Sequence, residues 1–199
     1  MTAFWLNMIF ALGLGYGLGS IPFGLLLTKA AGGGDIRSIG SGNIGATNVL
    51  RTGRKGLAAL TLLLDLLKGF AAVWIAGHFF PGAELAAAAG AFFGHLYPVW
   101  LKFKGGKGVA TYAGIMFGLF WQGGVVYAIT WIGALLIFRI SSVGGLLAAL
   151  MAPVAAAYFE RYDLVPLLCA CTLIIFWKHQ GNISNLINGT EPKIGKSKD

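Results

Sequence analysis

Side chains able to bind phosphate and to move a proton cluster in three short stretches of this sequence. The first sets Ser41, Asn43, Thr47, Asn48 and Arg51 among Gly40, Gly42 and Gly45. The second is Lys104-Gly105-Gly106-Lys107-Gly108, and the third is His179-Gln180-Gly181-Asn182. Glycine-rich backbone can approach an anion closely and aim N–H groups at it, and a nearby helix N-terminus adds partial positive charge. Gly105, Gly106 and Gly108 precede a predicted helix and are flanked by Lys104 and Lys107, so they read as a phosphate cradle. It is not a nucleotide-binding P-loop: Gly108 follows Lys107 where Ser or Thr is required, and Leu101 stands where the first glycine should be. The plain alternative, lysines anchoring a membrane span, suits Lys102 but leaves the glycines unexplained.

In the first stretch Ser41 and Thr47 offer hydroxyls, Asn43 and Asn48 offer amides, and Arg51 offers a bidentate fork. That set suits a second anion, such as a phosphate monoester, although Ser, Gly and Asn are also ordinary turn formers. His179 ends a predicted helix, and Asn182 shares its face if the helix continues for another turn. The histidine can serve as general base, phosphate ligand or oxyanion donor, or simply as a C-terminal cap. His95, in Gly94-His95-Leu96-Tyr97-Pro98, has the same alternatives beside the second stretch. Three scattered histidines and seven acidic residues form no recognisable ligand set, so no metal is expected.

The elements that must position these stretches are apolar. Of 199 residues 57% are hydrophobic and 11% charged, whereas soluble domains carry about 25% charge. The chain reads as a single membrane-embedded domain over residues 1–199. A formal net charge of +8 could suggest nucleic acid, but the cations lie between oily runs and not on a soluble scaffold, so no nucleic-acid partner is expected. Residues 1–28 contain no charged side chain, hence no basic n-region of a signal peptide, and are expected to stay as a span. Cys169 and Cys171 point to different helix faces and read as packing residues.

Hydropathy places seven transmembrane helices at about 4–28, 57–78, 84–101, 108–121, 123–139, 142–160 and 163–178. Pro22 should kink the first near its motif-side end. The uncharged residues 108–138 read as two short spans because one long helix would break the charge segregation. Phe79-Phe80-Pro81-Gly82, Gln122-Gly123-Gly124 and Arg161-Tyr162-Asp163 supply turns on one side. The three polar stretches fall on the other, with Lys29, Arg37, Arg51, Arg54, Lys55, Lys102, Lys104, Lys107, Arg139, Lys178, Lys193, Lys196 and Lys198. By the positive-inside rule that side is cytoplasmic, the N-terminus is outside and the C-terminus is cytoplasmic. Asp65 and Lys68, at i and i+3 inside the second span, read as a structural ion pair.

At these residues the chain resembles the PlsY family of bacterial acyl-phosphate:glycerol-3-phosphate acyltransferases. Residues 40–51 match the first family signature. Gly94-His95 with Pro98, leading into residues 104–111, match the second, and His179 with Asn182, Gly189 and Glu191 match the third. Gly19-Ser20-Ile21-Pro22-Phe23-Gly24, Asp35-Ile36-Arg37 and Asp65 with Lys68-Gly69 also look like family positions, whereas Asn185 stands where the pattern has arginine. The resemblance implies an all-α integral membrane enzyme of the bacterial inner membrane with its active site facing the cytoplasm. It would move a fatty acyl group from acyl phosphate to the 1-hydroxyl of glycerol 3-phosphate, giving lysophosphatidic acid and phosphate, without a cofactor. Ser41, Arg51, Lys107, His179 and Asn182 would be catalytic. Gly42, Asn43, Thr47, Asn48, His95, Lys104, Gly105, Gly106, Gly108 and Glu191 would bind substrate. The expected partners are glycerol 3-phosphate, long-chain acyl phosphate, membrane lipid and the enzyme that supplies acyl phosphate. A transporter or channel for an organic phosphate is the alternative, since seven spans and cationic loops would suit one.

Overall fold

The computed structural model of the chain describes residues 2–195; Lys196 and Lys198 of the basic tail lie outside the described residues. The described residues form helices and turns without a strand, in two compact units, Met1–Leu119 and Phe120–Asp199.

In the first unit α1 (Thr2–Gly19) and α2 (Phe23–Ala30) are separated by Ser20-Ile21-Pro22, the break expected of a proline that has no N–H to give. At this break Lys68 Nζ, from α4 (Lys55–Phe79), reaches across to donate to Ile21 O at 2.8 Å. Against α5 (Glu84–Leu96), α1 packs by small residues on both sides. A methyl at Gly15 or Gly19 would strike the backbone of Ala87 or Ala91, and one at Gly90 or Gly94 the backbone of Leu12 or Tyr16. Lipid tails are as apolar as leucine, so helices in a bilayer gain little from hydrophobicity alone and associate by this kind of close approach. The same device joins α4 to α6 (Val109–Leu119), with Gly69 on Thr111 and Gly114 on Leu66. The five-residue α3 (Ala46–Leu50) lies in the connection between α2 and α4.

The second unit consists of α7 (Trp121–Phe138), α8 (Ser141–Tyr158), α9 (Val165–Lys178) and α10 (Gln180–Ile187). Helix α8 packs on both α7 and α9. Its buried face is alanine-rich, with Ala148, Ala149, Ala152, Ala155 and Ala156, and Thr172 Oγ1 of α9 donates to Ala149 O at 2.7 Å.

Every segment expected to span contains a helix, and 108–138 is indeed two. The break is at Phe120, whose backbone is extended, and not at 122–124, because Gly123 inside the first turn of α7 lets the Phe120 ring fold back over it. The predicted span 84–101 is helical only to Leu96; Pro98 bars continuation and a 3-10 turn, Val99–Leu101, follows. Four stretches are long and apolar enough to cross a membrane by themselves: Ala3–Ala30, Lys55–Phe79, Trp121–Phe138 and Ser141–Tyr158. Helices α5, α6 and α9 have 13, 11 and 14 residues, too few to cover a hydrocarbon layer about 30 Å thick unaided. These long apolar helices, with Leu63, Ile129 and Leu136 turned outward, make the chain a membrane protein.

Candidate functional site

The first stretch is organised from its own residues. Asp35 caps the 3-10 turn Ile36–Ser38 by accepting from Arg37 N at 3.0 Å, and the Arg37 fork closes on the same carboxylate at 2.9 and 2.6 Å. Those bonds hold the Asp35 carboxyl well below the usual carboxylate range. Asn48 is the hub. Its Nδ2 lies within 2.9 Å of the carbonyls of Ile36, Ile39 and Asn43, while its Oδ1 accepts from Ser41 N at 3.0 Å. With its amide bonded to these loop carbonyls, Asn48 shapes the turn that carries Ser41 and Arg51. Asn43 Oδ1 likewise accepts from Gly45 N, at 2.9 Å.

The chain turns through Gly40 and Gly42, both at positive φ. Arg51 lies across this turn, so that a Cβ at Gly40 would come 3.0 Å from Arg51 Cδ. The Arg51 side chain is exposed, and among the described residues no carboxylate pairs with it. Ser41 and Gly42 are exposed beside it, and Thr47 is half-buried. This is a cation presented on a shaped turn with hydroxyls nearby.

The second stretch is built differently from the expected cradle. Gly105 N donates to Leu96 O at 3.1 Å and Gly106 N to His95 O at 3.0 Å. The last carbonyls of any helix lack intrahelical partners, so these amides serve as the C-terminal cap of α5 and are not aimed at an anion. The glycines are needed for closeness: a methyl at Gly106 would run into the His95 imidazole, and Gly108, at positive φ, rests on Phe92 and Leu96. His95 is 4% exposed, with Nδ1 3.8 Å from Asp65 Oδ1. It faces the interior, beneath the Gly106 backbone. What the stretch offers at its surface is cationic, Lys104 exposed and Lys107 half-buried. The first two stretches share a floor, since Leu101 packs on the cluster of Leu25, Ile36, Ile44, Val49 and Ala58 beneath the first.

In the second unit His179 stands between α9 and α10, 4% exposed. Its Nδ1 lies 2.8 Å from Ile175 O. A carbonyl only accepts, so Nδ1 carries the proton and, in the neutral ring, Nε2 holds the lone pair. The next helical turn does form, as α10, and Asn182 is on it. Glu191 holds the Asn182 amide: Oε1 accepts from Asn182 Nδ2 at 2.6 Å and from Ser142 Oγ at 2.7 Å, and Oε2 from Asn185 Nδ2 at 3.2 Å. Glu191 therefore fixes which end of Asn182 points where. The sequence reading missed Ser142, whose place at the start of α8 carries no local signal. Asn185 supplies a neutral donor where the family pattern has arginine. Among the described residues no group of His, Cys, Asp and Glu could hold a metal.

A model of the glycerol-3-phosphate acyltransferase family matches residues 9–189. A glycerol-3-phosphate acyltransferase of Mesorhizobium japonicum is 59% identical over 189 residues, covering 95% of this chain and 97% of the relative. One from Rhodopseudomonas palustris is 60% identical over 192 residues, covering 96% and 97%. Among solved structures, the glycerol 3-phosphate form of PlsY (YgiH), an integral membrane glycerol 3-phosphate acyltransferase, superposes with a TM-score of 0.89 at 33% identity, covering 94% of this chain and 96% of that one. The lysophosphatidic acid form of the same enzyme gives 0.85 at 33% identity, covering 94% and 95%.

Proposed function

The chain belongs to the glycerol-3-phosphate acyltransferase family and is an enzyme, and from that premise we propose that it transfers a fatty acyl group from acyl phosphate to glycerol 3-phosphate. The 1-hydroxyl oxygen attacks the acyl carbonyl, the carbonyl–phosphate C–O bond breaks, and lysophosphatidic acid and inorganic phosphate leave. Acyl phosphate is already an activated mixed anhydride, so the protein has chiefly to hold two anions, align hydroxyl with carbonyl and accept one proton. In this reading Ser41, Thr47, Arg51, Lys104 and Lys107 hold phosphate groups. His179 Nε2 takes the hydroxyl proton, and Asn182, held by Glu191, orients the glycerol phosphate or the oxyanion. The reaction runs at the cytoplasmic face of a bacterial inner membrane, where a water-soluble acceptor meets a lipid donor.

The observation that carries the mechanism is the 2.8 Å contact of His179 Nδ1 with Ile175 O, which favours the proton on Nδ1 and the lone pair on Nε2. Purified chain in lipid, given glycerol 3-phosphate and long-chain acyl phosphate, should release lysophosphatidic acid and phosphate in equal amounts. His179→Ala should lower kcat by about 100- to 10,000-fold while glycerol 3-phosphate still binds. No lysophosphatidic acid, together with organophosphate flux into liposomes, would move the assignment to a transporter. That alternative has less support, because a transport site belongs near the membrane midplane on broken helices. The ionic groups buried within α4, Asp65 and Lys68, are paired with each other at 2.6 Å.

A further inference from the structure

We propose that Asp65, Lys68 and His95 form a buried positioning network that sets the 104–107 loop, and so the two lysines that hold phosphate, from inside the protein. This rests on the function proposed above and adds to it three buried residues that act through the loop.

An ion pair buried in a helix seldom repays its desolvation by attraction alone. Asp65 and Lys68 are 3% and 4% exposed, with Lys68 Nζ 2.6 Å from Asp65 Oδ1, so each should be serving a further partner. Lys68 has one in Ile21 O, at the break of α1 before Pro22, a carbonyl that it shares with Phe23 N. Asp65 has the other in His95, since the same Oδ1 lies 3.8 Å from His95 Nδ1. That separation is too long for a direct hydrogen bond, so the carboxylate acts on the ring through charge and packing.

The ring is in turn the surface against which the loop is seated. A Cβ on Gly106 would meet Nε2, Cε1 and Cδ2, so the loop backbone lies against the whole outer edge of the imidazole, and Gly106 N also donates to His95 O. Rotation or withdrawal of the ring therefore shifts Gly106, and with it Lys107. A second clamp reaches the same segment from the same helix break. Trp100 Nε1 donates to Ser20 O at 2.8 Å, Tyr16 Oη donates to Tyr97 O at 2.8 Å, and Val99 N donates to Tyr16 Oη at 3.1 Å. The α1 break is thus the fixed point from which the loop is placed, once through the buried ions and once through Tyr16 and Trp100.

A double-mutant cycle on His95 and Gly106 tests this, with acyl transfer measured against both substrates and thermal unfolding followed in parallel. Lysines that bind phosphate equally in ground and transition states act on KM and leave kcat nearly unchanged. Gly106→Ala in the native background should raise KM for a phosphate substrate by about tenfold, because its methyl displaces the ring or the loop. In the His95→Ala background the methyl fills vacated space, and the same change should cost less than about threefold. Asp65→Asn, which keeps shape and removes charge, should raise KM alone and add nothing to His95→Ala. If His95→Ala does not accumulate, His95→Asn carries the same cycle. Additive costs, or melting temperatures that fall while KM stays constant, overturn the network and leave the proposed reaction standing. A native chain that makes no lysophosphatidic acid overturns both.

Discussion

Arg51 and Asn48 sit three residues apart in one loop and serve different ends, which their substitutions should separate. Asn48→Asp turns a carboxylate toward three carbonyl oxygens that now receive N–H groups. With two N–H donors lost at about 1 kcal/mol each and a carboxylate set against carbonyls, stability should fall by roughly 2 kcal/mol or more, seen as a lower melting temperature together with lost activity. Arg51→Ala removes an exposed cation that no described carboxylate holds. Melting should stay within about 1 kcal/mol of native, while KM for a phosphate substrate rises roughly ten- to a hundredfold, the worth of a charge-assisted hydrogen bond. Near-normal turnover and affinity for Arg51→Ala would remove it from the site. The residue types alone could not sort these two, because an asparagine amide serves a loop carbonyl and a phosphate equally well. The same ambiguity hid the roles of Gly105 and Gly106: their spacing suits an anion cradle, yet their N–H groups cap α5. A cap is written in the partner carbonyls, and these lie on residues with no distinctive side chain.

At the scale of elements, apolar run length located the long helices, since burying backbone polar groups in lipid leaves the helix as the only local solution. It could not locate α3 or α10, which are short and mixed in composition, nor the break at Phe120, which depends on a ring folding over a glycine. The α1–α5 contact was written in the sequence as Gly15-x-x-x-Gly19 facing Gly90-x-x-x-Gly94, although glycine is so common here, at 31 residues, that the spacing does not stand out. The structure distinguishes contact glycines from free ones. Gly90→Ala pushes a methyl into the α1 backbone and should cost about 1–3 kcal/mol in unfolding experiments in detergent. Gly17→Ala, on α1 with open space around the new methyl, should be neutral or slightly stabilising because alanine favours helix by about 1 kcal/mol. Equal effects at the two positions would mean that α1 and α5 are not held by this face.

For the whole molecule, the number of crossings decides which stretches share a side, and helix length alone does not supply it. Four stretches are long enough to cross unaided, whereas α6, at 11 residues, is not. Its residues from Thr111 to Met116 are nevertheless buried, with α4 and α5 packed against it, so protein shields its backbone where lipid would not tolerate an end. The positive-inside rule leads us to propose seven crossings with the lysine- and arginine-rich connections cytoplasmic. Single cysteines test this once Cys169, which is exposed, and Cys171 are replaced by serine and alanine. In intact cells a membrane-impermeant maleimide should label Gly82→Cys, Gln122→Cys and Tyr162→Cys, and should reach Lys55→Cys, Lys102→Cys and Asn188→Cys only after lysis. Protection at Gln122→Cys with labelling at Gly82→Cys would mean that α6 turns back without crossing. Residues after it would then face the opposite side, placing His179 and Asn182 across the membrane from Arg51 and Lys107, an arrangement in which the proposed acyl transfer could not occur.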